Sequence, residues 1–215
     1  AVTVSGDGAV GVLASGNNAA IFNSGKILAT GSNAIGVSLQ GNGNSLNNSG
    51  IIASMGGLAA IQTGGGIISN MAGGEISGTS NAIVAMGAVA SEISNAGMVS
   101  GNIILGVGAD VVSNSGRITG NLDLGDGNDS LALSGQIMGN VLGGDGSDTV
   151  MLAPGGSISG GLDFGAGNDT FMIGSNALSA IGGAIIGGAG TDKIALDVAS
   201  SDRFELLPGR LSEFE

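Results

Sequence analysis

The sequence predicts an all-β protein, a right-handed parallel β-helix (β-solenoid) of about nine to ten rungs of 19–25 residues. Three observations lead there. A short phrase returns at near-constant spacing, and β-branched residues hold fixed places within it. In addition, 45 of the 215 residues are Gly, which disfavours long helices by up to about 1 kcal/mol per interior position.

The phrase is Asn-Ser-Gly-x-Ile. It stands at Asn23–Ile27 and Asn48–Ile52, and returns as Asn95-Ala96-Gly97-Met98-Val99 and Asn114–Ile118. Looser copies centre on Gly74, Gly135 and Gly156. Two positions after each marker glycine sits a β-branched residue: Ile27, Ile52, Ile76, Val99, Ile118, Ile137 and Ile158. Four positions before it an aliphatic recurs as Ile21, Leu46, Ile93, Val112, Leu131 and Leu152, whereas at Gly74 the nearest one, Ile68, comes two residues early.

Each unit therefore holds two or three short apolar-alternating strands, with Gly, Asn and Ser supplying the turns. Strands this short bury nothing alone. Stacked coil on coil at about 4.8 Å, they align equivalent Ile, Val and Leu into internal columns. Residues 1–198 read as one solenoid, with Asn/Ser-Gly rungs over 1–100 and Gly-x-Gly-x-Asp rungs over 101–198; residues 199–215 read as its less repetitive C-terminal end. With five Phe and no Trp or Tyr, the core is expected to be aliphatic. The longer corners Gly41–Asn48 and Gly56–Gly66 are the places where a binding loop would sit, although plain turns are the favoured explanation.

Composition removes several functions. There is no His and no Cys, so serine and cysteine triads, zinc sites built on those ligands and disulfides are all out of reach. Seventeen acidic against five basic residues give a net charge of −12, which opposes nucleic-acid binding and a polybasic membrane anchor. Asp123 with Asp126, or Asp126 with Asp145, would form the paired acids of a glycosidase, yet each holds a repeat position, and no Trp or Tyr offers a sugar platform. The chain is expected not to be an enzyme. Its start at Ala1, with no leader-like apolar run, reads as a mature piece of something longer.

Two polar columns remain. Asn23, Asn48, Asn95 and Asn114 fall at one corner and are expected to form a structural amide ladder. From residue 101 the turns end in Asp110, Asp129, Asp148, Asp169 and Asp192, one per rung, so a column of carboxyls is expected along another corner. Each would accept hydrogen bonds from the amides of its own Gly-x-Gly turn, with no metal. Against that, carboxylates about 5 Å apart repel by about 1 kcal/mol in water and about 3–4 kcal/mol at an effective dielectric near 20. Calcium between rungs would offset this, and Asp126 and Asp145 add carboxylates on adjacent turns. On that alternative the metal set is Asp126, Asp129, Asp145, Asp148, Asp169 and Asp192.

Gly143–Met151 and Gly187–Ala195 satisfy the pattern Gly-Gly-x-Gly-x-Asp-x-aliphatic-x and so resemble the calcium loops of the repeat-in-toxin family. Here the motif comes once per rung rather than every nine residues. Taken with the Asn-Ser-Gly-x-Ile rungs and the Ser-Asn-Ala-Ile phrases at Ser32–Ile35 and Ser80–Ile83, nearly the whole chain resembles the passenger domains of bacterial autotransporters. That resemblance implies export across the outer membrane of a Gram-negative bacterium through a C-terminal membrane β-barrel. It also implies a cell-surface or extracellular stalk or adhesin, with a host or neighbouring-cell surface component, or another copy of itself, as partner. The alternative is a secreted calcium-binding solenoid whose folding depends on the metal.

Overall fold

In a computed structural model, residues 1–174, 180–197 and 211–214 are described. They form a parallel β-solenoid of about nine turns with almost no helix. Every strand pairing is parallel, as coil-on-coil stacking requires.

Each full coil runs along three faces. On the first, Val2–Val4, Lys26–Ala29, Ile51–Ser54 and their successors carry the buried column Ile27, Ile52, Ile76, Val99, Ile118, Ile137 and Ile158, each in register with the next. Those are the β-branched residues that follow the marker glycines. The second face aligns Val37, Ile61, Ile83, Ile103, Leu122, Val141, Leu162 and Ile185. The third, a nine-stranded sheet from Ala20–Asn23 to Lys193–Asp197, aligns Ile21, Leu46, Ile68, Ile93, Val112, Leu131, Val150, Phe171 and Ile194. Each fully buried Ile or Leu in these columns contributes about 2 kcal/mol of burial.

Coil length changes at one corner. The early coils spend Thr30–Ala34 in passing from the first face to the second, whereas the strands Glu75–Ala85 and Met98–Ile104 run through that corner unbroken. Gly101, at φ 115°, supplies the bend that five residues made before. The register accordingly tightens, from Val2 paired with Ile27 to Val99 paired with Ile118.

Four expectations are corrected. Leu152 does not belong with Leu131; Val150 holds that place, and Leu152 stacks on Leu133. Ile68, by contrast, lies in register with Leu46 and Ile93. Both displacements have one cause, a two-residue-longer turn closed by Gly74 N–H to Met71 C=O in one coil and by Gly156 N–H to Ala153 C=O in the other. Nor is the core wholly aliphatic: Phe164 and Phe171 are fully buried, with ring centroids 5.9 Å apart. A Cβ at Gly143 would meet the Phe164 carbonyl oxygen of the next coil and the Asp148 carboxyl, so only glycine fits there. Phe214 meets the Phe164 ring edge-on at 6.0 Å. Just ahead of Phe214, Leu211–Ser212 adds a strand below Ile185–Ile186; residues 199–210 and 215 of the less repetitive end lie outside the described residues. The proposed binding corners are also shorter than they look, since Ser45–Asn48 and Ile61–Thr63 are strands.

Candidate functional site

The polar groups that the hydrophobic columns cannot satisfy collect at two corners of the prism. At the corner from the third face to the first, Asn23, Asn48, Asn95 and Asn114 form the expected ladder, joined by Asn70, which the sequence reading missed. Each Nδ2 donates to the Oδ1 of the Asn one coil on, at 2.7 Å from Asn23 to Asn48, 2.8 Å from Asn48 to Asn70, 2.8 Å from Asn70 to Asn95 and 2.7 Å from Asn95 to Asn114. The same amides also donate to turn carbonyls such as Gly50 C=O and Gly74 C=O. Asn70 escapes a search anchored on glycine because its turn is the longer one; counting forward from Ile68 instead of back from Gly74 would have found it. Beyond Asn114 the column turns apolar as Leu133, Leu152 and Ile173.

At the corner from the second face to the third, Asp110, Asp129, Asp148, Asp169 and Asp192 form the predicted column, each at most 2% exposed. Their hydrogen bonds differ from expectation. Each Oδ1 reaches back one coil and accepts the backbone N–H of the preceding column member, while at Asp110 the Gly106 N–H of its own turn also favours the charged form. Asp110 N–H donates to Asp129 (2.7 Å), Asp129 to Asp148 (2.9 Å), Asp148 to Asp169 (2.7 Å) and Asp169 to Asp192 (2.8 Å), while Ser91 N–H donates to Asp110. The reason is geometric: these N–H groups lie at a bend, outside the strand ladders, and a side chain must satisfy them. The other oxygen, Oδ2, is buried without a hydrogen-bond partner in all five.

This environment disfavours charge. Burial pushes the Asp129 carboxyl up to about 7; the Asp110 N–H opposes this, and the carboxyls of Asp148, Asp110 and Asp126 add to it. Burial likewise pushes Asp169 up to about 6, against the Asp148 N–H and with help from Asp148 and Asp192. Asp110 and Asp148 are raised too, by burial first.

Asp126 and Asp145 occupy a different place. They are exposed, at equivalent positions in the middle of adjacent turns, and Gly127 N–H donates to Asp145 C=O across the coils. Calcium requires six to eight converging oxygens. Here every column Oδ1 already faces an N–H, and among the described residues no three acidic side chains gather as a metal would need.

Two further ladders were not anticipated, both exposed. Asn102, Asn121 and Asn140 each accept the backbone N–H of the next coil at 2.8–2.9 Å. Asn128, Ser147 and Asn168 do the same for Ser147, Asn168 and Thr191. An open groove of about 600 Å³ lies on the first face beside Arg117, Gln136, Met138, Ser157 and Ser159.

Fold and ladders together define a class: a parallel β-solenoid repeat protein whose polar side chains chiefly hold coil to coil. Compared with protein-family models, with curated proteins and with solved structures, the chain matches none.

Proposed function

We propose that this chain is a non-catalytic, extracellular passenger segment of an autotransporter, serving as a cell-surface stalk or adhesin. The observation that carries the reading is the uninterrupted solenoid. Nine coils follow one another with short corners, a filled core and no inserted unit among the described residues. Such a body spans distance and presents long flat faces. In this reading the acids are structural, because the buried ones are consumed by coil-to-coil bonds. The contact surface is the exterior of the faces, including the groove beside Arg117.

The test is immunolabelling of intact producing cells with an antibody to residues 1–174, followed by binding of protein-coated beads to host and sister cells. Surface labelling and bead capture above an uncoated control are expected. Labelling only after the cells are broken open overturns the proposal.

A further inference from the structure

The aspartate column contains its own control experiment. One residue before Ser45, Ile67, Glu92 and Val111, which share a register, stand Asn44, Gly66, Ser91 and Asp110. Asn44 therefore holds the column position three coils before Asp110. It makes the same backward bond, its Oδ1 accepting Ala19 N–H at 2.8 Å. Its second atom is satisfied as well, because Nδ2 donates to Gln40 C=O at 2.9 Å and to Gly41 C=O. A neutral side chain thus does the whole task at this corner. The aspartates make the backward bond but leave Oδ2 buried and unpartnered, five times in succession.

Among the described residues, no cation is recorded facing Asp129 or Asp169. The charged groups facing Asp129 are the carboxyls of Asp110, Asp126 and Asp148, and those facing Asp169 are Asp148 and Asp192. On the elements packed against the column, Glu92, Asp145 and Lys193 are exposed, and Asp163 accepts the Gly165 N–H of its own strand. The neighbouring strand positions Ser130, Thr149 and Thr170 are neutral. Five carboxylates about 4.8 Å apart along one buried line would repel at every step.

We propose that the aspartate column is a proton-binding site: in the folded chain several of its carboxyls are held as neutral acids, so that acidification tightens the C-terminal coils and alkali loosens them. The sign follows from linkage. The unfolded chain releases these protons near 3.8, whereas the folded chain keeps that of Asp129 to about 7 and that of Asp169 to about 6. Between those limits the folded state binds more protons, so stability falls as pH rises, then levels off above about 7. Each retained proton weakens the folding equilibrium about tenfold per pH unit within the window. Ordinary salt-bridged carboxylates give the opposite slope.

The experiment is equilibrium urea unfolding of the whole chain from pH 4.5 to 8.5 at constant ionic strength, alongside infrared spectroscopy of the carboxyl C=O stretch. The unfolding midpoint is expected to fall from pH 4.5 to 7, with a protonated-carboxyl band visible at pH 6 and lost by pH 8.5. Asp129→Asn, which copies Asn44, is expected to raise the midpoint at pH 8 and flatten the slope; Asp148→Asn serves as a second variant of the same kind. Asp145→Asn removes one exposed charge and is expected to leave the slope unchanged, which separates the column from overall charge. A midpoint that is flat or rising from pH 4.5 to 7, no protonated-carboxyl band at pH 6, or equal effects of Asp145→Asn and Asp129→Asn overturns the proposal.

Discussion

Replacing Asn70 by Leu tests whether the amide ladder stabilises the solenoid or merely lines a corner. Asn70 sits mid-ladder, accepting from Asn48 and donating to Asn95, both at 2.8 Å. Two ladder hydrogen bonds worth about 1 kcal/mol each are lost along with the longer Nδ2 donations to Gly74 C=O and Met98 C=O, and one buried N–H of Asn48 is left unpaired at a further cost of about 1–3 kcal/mol. Burial of the leucine returns about 1–2 kcal/mol. The net loss is about 2–3 kcal/mol. Asn114→Leu is the matched comparison: it breaks one ladder bond instead of two, leaves the Asn95 N–H unpaired, loses the donation to Gln136 C=O and sets the new side chain against Leu133, so its cost is about 1–2 kcal/mol. Equilibrium urea unfolding followed by circular dichroism reads both. If Asn70→Leu costs no more than Asn114→Leu, the ladder is not a cooperative device and the reasoning fails.

Further outcomes follow from the same geometry. Asp129→Asn raises stability by about 1–2 kcal/mol at pH 8, the midpoint near 7 being discounted for solvent screening at a corner; calorimetry at that pH measures it. Gly146→Ala drives a Cβ into the carbonyl oxygen of Gly127 at a φ of 140°, and a loss of about 2–4 kcal/mol is expected in the same melt. Phe164→Ala empties the aromatic cluster it shares with Phe171 and Phe214 and costs about 3–5 kcal/mol by urea titration. Adding calcium or a chelator leaves the melting temperature unchanged; a rise with calcium concentration would restore the metal reading.

The columns were legible in the sequence because a β-branched residue two places after a glycine is both a strand former and a fixed address in the coil. Ile27 to Ile158 could be listed before any coordinates. What glycine anchoring could not see was a turn that lengthens: at Met71–Gly74 and Ala153–Gly156 the marker slides while the strand stays, which hid Asn70 and misplaced Leu152. The existence of the aspartate column was equally plain from spacing. The target of its bonds was not, because one-dimensional spacing carries no information on whether a side chain turns inward to its own loop or along the axis. The kinship of Asn44 with Asp110 was masked by Gly66 and Ser91 between them. Five phenylalanines in 215 residues suggested an aliphatic core, wrongly, since a total says nothing of where three of them meet.

The most direct test of the stacked architecture uses the chain's lack of cysteine. Ser94 and Ser113 are exposed and directly paired on consecutive coils, while Ala132 lies one coil further along the same outward row. Partners on adjacent parallel strands stand about 4.8 Å apart, within disulfide reach, and those two coils apart stand about 9.6 Å apart, beyond it. Oxidation of the Ser94→Cys/Ser113→Cys variant should close an intramolecular disulfide, read by mass spectrometry after proteolysis, and the Ser94→Cys/Ala132→Cys variant should stay reduced. Equal bridging in both, or none in the first, would contradict the solenoid.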